Sequence, residues 1–307
     1  MSLSSFKRPT LAPHNWLRWL SIVPFWILGK LPVRLGLLLV APIGPLAYRL
    51  APRRRKIALS NLDQCFPQWS DEKKHQVLRA SFDSLARMIV ETAWCWSGPL
   101  QRSLQLGRVH GIENLLQAEA RGKGVLVVTG HSTCLEMGAR ILAHGRTTCG
   151  GVYRPLKNPV MEWFQNKGRL RYVGFMVSKR NAKKVVVALR KGATLWYAPD
   201  QDFGPEQSVF APFFGIETAS LLATHRLPKM TGCAVMFMYP VYDPVDRRYD
   251  IYVSPALENF PTDDPVADLG RINSMIEEQI RKAPEQYWWI HRRFKTRPEG
   301  EPSFYDD

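Results

Sequence analysis

The chain has 307 residues, 45% of them hydrophobic, and a formal charge of +15. That length and apolar content allow one large core or two modest ones. Five cysteines with no C-x-x-C pair, one left over from any even pairing, argue against a disulfide framework and for reduced thiols facing the cytoplasm. The positive excess points to an anionic partner: nucleic acid, a membrane surface, an acidic protein or a phosphorylated substrate.

Trp16 to Leu50 is unusually apolar and aromatic and ends in Arg53-Arg54-Arg55-Lys56. Arg18, Lys30 and Arg34 interrupt the run, so no window reaches the roughly 18 uncharged residues of a clear spanning helix. Pro24, Pro32, Pro42 and Pro45 break it further. There is no small-residue cleavage signature of a removable signal peptide. Two membrane readings stay open, a tilted single span with snorkelling Arg and Lys or a monotopic insertion. A buried helical hairpin is the bland alternative, and Trp16, Trp19, Trp26 and Tyr48 weigh against it as interfacial anchors. We read residues 1–52 as an N-terminal membrane-anchoring segment and 53–307 as the functional domain. The basic cluster is expected on an anionic membrane surface, holding that domain on the cytoplasmic side.

Ser70-Asp71-Glu72 opens a long helix to about Trp96, stopped by Gly98-Pro99. From Gly111 onward helix and strand alternate. A helix covers Ile112 to Ala120, a strand the five residues Val125 to Thr129 between Gly124 and Gly130, and a helix runs through Met137 to Leu142. Strands near 148–153 and 193–198 are separated by helices near 158–167 and 182–189. Later strands cover 233–241 and 249–254, and a helix 264–282. This order predicts an α/β fold, a mixed sheet flanked by helices and at least partly parallel, behind an apolar helical anchor.

The stretch Gly124-Val125-Leu126-Val127-Val128-Thr129-Gly130-His131-Ser132-Thr133-Cys134-Leu135-Glu136 carries the chemistry. Its apolar run reads as a buried strand, and Ser132 or Thr133 can cap the helix that follows. His131 then sits in a strand-to-helix turn, where ligands bind in an open α/β sheet and free backbone N–H groups can meet an anion. With His131 in the turn and Glu136 on the first helical turn, the two form a general base with its orienting carboxylate. The competing reading is a capping box, Thr133-x-x-Glu136, with a turn histidine bonded to a carbonyl.

Three further groups fall at loop positions. Arg154 lies just past the strand ending at Tyr153, and Arg169 belongs to the cluster Lys167-Gly168-Arg169-Leu170-Arg171. Both are suited to bidentate capture of phosphate or carboxylate. Asp200 and Asp202, in Pro199-Asp200-Gln201-Asp202-Phe203-Gly204-Pro205, close the strand ending at Ala198 and are either turn formers or a site. An Asp-x-Asp there also suits a divalent cation on a nucleotide-sugar, the basis of a rival reading as a membrane glycosyltransferase. Nucleic-acid binding fits the charge but not the aromatics, which lie in apolar runs and not among the basic residues.

His131-x-x-x-x-Glu136 resembles the histidine-plus-acid motif of glycerolipid-type acyltransferases. Gly130-His131 with Leu135-Glu136-Met137-Gly138-Ala139-Arg140, Tyr153-Arg154-Pro155 with Asn158-Pro159, Trp196 to Pro205, and Ala283 to Pro298 together resemble the lipid A secondary (late) acyltransferases, the lauroyltransferase group. Ser132 departs from that group, which often carries a bulky aromatic after the histidine; this bears on acyl-chain preference more than on the reaction. The resemblance implies transfer of a fatty acyl chain, laurate for that group, from acyl carrier protein to a hydroxyl of Kdo(2)-lipid IV(A). The place it implies is the cytoplasmic face of a Gram-negative inner membrane. His131 would be the base, Glu136 its partner, and Arg154 and Arg169 would bind phosphates. Asp200 would shape the site beside Asp202. A thioester is already activated, so no metal or other cofactor is expected, and no nucleic acid. Transfer to another lipid acceptor, a phospholipid or ornithine lipid, is the nearest alternative.

Overall fold

The computed structural model describes residues 7–305; residues 1–6 of the expected anchor and 306–307 lie outside the described residues. Seven strands form one sheet: β1 (Gly107–His110), β2 (Val125–Val128), β3 (Cys149–Tyr153), β4 (Phe175–Ser178), β5 (Thr194–Tyr197), and two long strands, Ala234–Asp243 and Arg248–Ala256. A separate antiparallel hairpin, β6 (Ser208–Phe213) and β7 (Ile216–Leu221), precedes those last two, which are therefore β8 and β9. The sheet order is β1-β9-β8-β2-β5-β3-β4. β2, β3, β4, β5 and β8 run parallel, whereas β8 and β9 pair antiparallel and β1 follows β9. The sheet is mixed and flanked by helices, as expected.

β2 is central and fully buried because Val125-Leu126-Val127-Val128 has no polar face to turn to water. Leu126 and Val128 enter one core with Leu195, Phe237 and Ile276. Val125 and Val127 enter the other with Met137, Met236 and Met238. Burying each such side chain is worth roughly 1.5–3 kcal/mol.

The long helix forms over Asp71–Ser97, its N-terminus capped by the Ser70 hydroxyl, which accepts the Lys73 N–H. Its C-terminus is held by Arg140, whose guanidinium is buried and donates to the carbonyls of Trp94, Cys95 and Gly98. Helices also form over Ile112–Ala120, Leu135–Ala143, Pro159–Arg169, Ala182–Arg190 and Pro265–Lys282. Strands β1 and β4, the β6–β7 hairpin, and the helices Pro52–Cys65 and Ala223–Thr231 were not foreseen.

The N-terminal segment folds as two kinked helical runs. One comprises Trp16–Leu20 and Val23–Lys30; the other is Val33–Val40 with Ile43–Leu50. Both pack along Asp71–Ser97: Phe25 stacks on Trp96, and the Ser97 hydroxyl donates to the Phe25 carbonyl.

Candidate active site

β2 and β5 are parallel neighbours, with Val128 opposite Tyr197, so the turns leaving their carboxyl ends stand side by side. This brings His131 to Asp200, 69 residues away. The His131 ring Nδ1 and Asp200 Oδ1 are 2.5 Å apart, and the His131 backbone N–H donates to Asp200 Oδ2 at 2.7 Å. A carboxylate only accepts, so Nδ1 carries the proton and Nε2 presents its lone pair. Asp200 is buried, and the His131 ring is partly open to solvent. Burial alone pushes the Asp200 carboxyl up, but the His131 ring and N–H outweigh it and hold it below its ordinary range.

The expectation that Glu136 orients His131 is corrected here. Glu136 turns instead to the face toward Pro159–Arg169. There it accepts from Arg169 Nε at 2.9 Å, from the Tyr172 hydroxyl at 2.9 Å and from Trp96 Nε1 at 3.2 Å. Burial raises its pKa, and Arg169 with these donors brings the net value below the usual one. His131 lies in the turn and Glu136 on the first helical turn, as expected, but that helix turns Glu136 to the side lined by Trp96, Arg169 and Tyr172, whereas the β5 turn sets Asp200 against the imidazole.

Arg169, expected to bind a phosphate, is ion-paired to Glu136 in this structure, through Nε and Nη2. The capping box does not form: Cys134 is the N-cap residue, with no side-chain cap. Ser132 Oγ instead donates to the Pro240 carbonyl and accepts the Cys134 N–H. Three N–H groups between His131 and the helix start are already bonded. His131 gives its own to Asp200, Thr133 to the Gln286 carbonyl, and Leu135 to Ser132.

Asp202 serves as a latch. Its carboxylate accepts from the Thr296 N–H and hydroxyl and from the Gly204 N–H. Its own N–H donates to His291 Nε2 at 3.1 Å. Burial, then the nearby His131, push His291 down to about 4, so it stays a neutral acceptor at pH 7. The two acids of Asp-x-Asp therefore serve separate partners and do not converge on one cation. Arg154 is exposed past the end of β3. Lys179, past the end of β4, lies 4.9 Å over the Phe203 ring; burial and then the charges of Arg154 and Arg180 lower its pKa. A cationic rim thus runs along the carboxyl edge of β3 and β4.

The C-terminal segment closes the back of the site. Tyr287 bridges Ser132, and the Trp288 N–H donates to the His131 carbonyl at 3.0 Å. Cys134 is fully buried, its thiol pushed up to about 12 by burial, and Sγ contacts Gln286 Oε1. It is a core thiol.

The family model described as bacterial lipid A biosynthesis acyltransferase matches residues 3–296. The chain belongs to that family. It is similar to the lipid A biosynthesis palmitoleoyltransferase of Escherichia coli (strain K12), 39% identical over 301 residues and 98% of both chains. To the lipid A biosynthesis lauroyltransferase of the same strain it is 38% identical over 306 residues, 99% of each. The solved structure of the 1-acyl-sn-glycerophosphate acyltransferase PlsC from Thermotoga maritima matches loosely, with TM-score 0.37 and 14% identity over 74% of this chain and 95% of that one. The lipid A acyltransferase assignment rests on the sequence matches, which run nearly end to end.

Sequence reasoning marked Asp200 without its role and missed Trp96, Tyr172 and His291 as parts of the site. The available signal was the position of Asp200 three residues past the end of β5, the strand parallel to β2.

Proposed function

We propose that this lipid A acyltransferase moves a fatty acyl chain, laurate, from acyl carrier protein to a hydroxyl of Kdo(2)-lipid IV(A) at the cytoplasmic face of the inner membrane. The observation that carries the reading is the His131–Asp200 pair at the carboxyl edge of β2, with Nε2 left to accept a proton. The acceptor hydroxyl is a weak nucleophile at neutral pH. His131 Nε2 takes its proton as the oxygen attacks the thioester carbonyl, and Asp200 stabilises the imidazolium that forms. Collapse of the tetrahedral intermediate breaks the C–S bond, and the departing thiolate of the carrier takes that proton. Arg154 and Lys179 stand on the rim where an oxyanion or phosphate needs a positive charge. The thioester supplies the activation, so no cofactor is required. An acidic carrier protein suits a chain with a net charge of +15.

The test is mass spectrometry of lipid A from cells lacking and then regaining this chain, with His131→Ala beside it. A gain of one saturated 12-carbon chain, absent with His131→Ala, supports the reading. A 16-carbon unsaturated chain would replace laurate with the specificity named for the palmitoleoyltransferase relative. An acylated phospholipid or ornithine lipid would replace the acceptor.

A further inference from the structure

We infer that residues 7–50 form a membrane-facing wedge that lies in the plane of one anionic leaflet, continuous with the catalytic body, and that no helix of it spans the bilayer. This rests on the reading that the acceptor is a membrane lipid. By length and composition the run Val33–Leu50 suffices to cross, 18 residues and mostly unburied, or about 27 Å against a core of about 30 Å. Its two ends, however, are fastened to the same body. At the start, Arg102 of the helix Leu100–Gln105 donates to the Leu31 carbonyl. Past the end, Arg54 donates to the Ile290 carbonyl, and Arg55 donates to the Tyr48 carbonyl. A span would carry one of these ends to the far side and strand Arg102 or Arg54 in hydrocarbon.

The packing between the ends is equally intimate. A Cβ at Gly29 would stand 2.6 Å from the Ala93 carbonyl oxygen, and one at Gly44 would stand 2.9 Å from the Asp83 Cα. Glycine is thus required where the wedge meets Asp71–Ser97. The opposite face is apolar and open: 13 of the 18 large exposed apolar residues among those described precede Ala51. Leu11, Trp19, Leu20, Ile22, Val23 and Trp26 line a cavity of about 400 Å³ on it. Charge names the occupant: ten lysines and arginines precede Asp63, the first acidic residue of the chain. A broad apolar face with that excess fits a leaflet of anionic lipid.

All five native cysteines are buried, so an introduced thiol is the reactive one. Pro32→Cys, at the turn between the two runs, and Glu299→Cys, on the catalytic body, are made in the full chain. Each is added to preformed phosphatidylethanolamine–phosphatidylglycerol vesicles. An impermeant maleimide outside should label both to within about twofold; labelling of Pro32→Cys only by reagent trapped inside overturns the inference. Leu38→Asp with Leu46→Asp should weaken vesicle binding roughly tenfold or more, with no change in unfolding temperature in detergent. Binding unchanged by that pair overturns the lipid face. Gly44→Leu should lower the unfolding temperature in detergent; if Gly44→Leu and Gly29→Leu both leave it unmoved, the wedge is not part of the catalytic body. None of these readouts uses acyl transfer. His131→Ala should bind vesicles like the wild type, so failure of the catalytic reading shows separately.

Discussion

At the scale of single residues, the two carboxylates near His131 divide their work. Asp200 is the acid on the imidazole, whereas Glu136 is tied to Arg169, Tyr172 and Trp96. Asp200→Asn should fold normally and lose on the order of 10²–10⁴ in kcat, because the amide no longer fixes the tautomer or balances the imidazolium. Glu136→Gln leaves the Arg169 charge half-buried and unpaired, and should cost about 3–5 kcal/mol of stability, read from denaturant unfolding in detergent. A Glu136→Gln enzyme of wild-type stability but no activity would return the orienting role to Glu136. Acid should act on both groups. Each has a folded pKa below its ordinary value, so each stabilises the fold fully above the unfolded carboxylate value of about 4. That contribution disappears as pH falls through the lower folded value. The unfolding temperature of the wild type should therefore drop more steeply below about pH 4 than that of either amide variant. Scanning fluorimetry from pH 7 to 3 compares the slopes, and parallel curves would count against the pairs.

Among the elements, the helix Asp71–Ser97 is the one on which the others converge. Its outer side receives the N-terminal wedge, and its C-terminal carbonyls receive Arg140 from the helix that starts beside His131. Arg140→Met removes three charge-assisted hydrogen bonds; the Trp94 and Gly98 carbonyls keep the Gly98 N–H and Arg171, and the Cys95 carbonyl loses its side-chain donor. The substitution should destabilise by roughly 3 kcal/mol or more, measured by denaturant midpoint. Activity at permissive temperature should fall far less than in Asp200→Asn. The helix Pro52–Cys65 has a comparable duty toward the C-terminal segment. Asn61 donates to the carbonyls of Trp289 and His291 and accepts from the Tyr305 hydroxyl. The chain after Lys282 is thereby held against the His131 turn.

For the whole molecule, the +15 charge is concentrated at its start as well as along the rim near Arg154. Membrane binding should accordingly weaken with salt, since charges at a lipid surface are screened over about 8–10 Å at physiological ionic strength. Vesicle sedimentation between low and high salt measures this, and neutralising Arg53, Arg54, Arg55 and Lys56 together should flatten the dependence. Deleting residues 1–50 uncovers the apolar flank of Asp71–Ser97. The product should aggregate or unfold even in detergent, as judged by size-exclusion chromatography. A monodisperse, active truncation would make the wedge a detachable anchor.

Much of this protein is legible along the chain. The strand Val125–Val128, the turn histidine and the helix Asp71–Ser97 follow from local pattern, because buried runs, caps and breakers act within a few residues. The basic, apolar N-terminus likewise declares an affinity for lipid before any fold is known. Two things were left to the tertiary structure. Which acid serves His131 depended on β2 and β5 lying side by side, a pairing across 69 residues that no local spacing encodes. Whether Trp16 to Leu50 spans or lies flat is not written in its hydropathy, and the in-plane proposal rests on where Leu31 and Tyr48 are fastened. Hydropathy reports what a segment can bury, and only the contacts at both ends decide in which direction it runs.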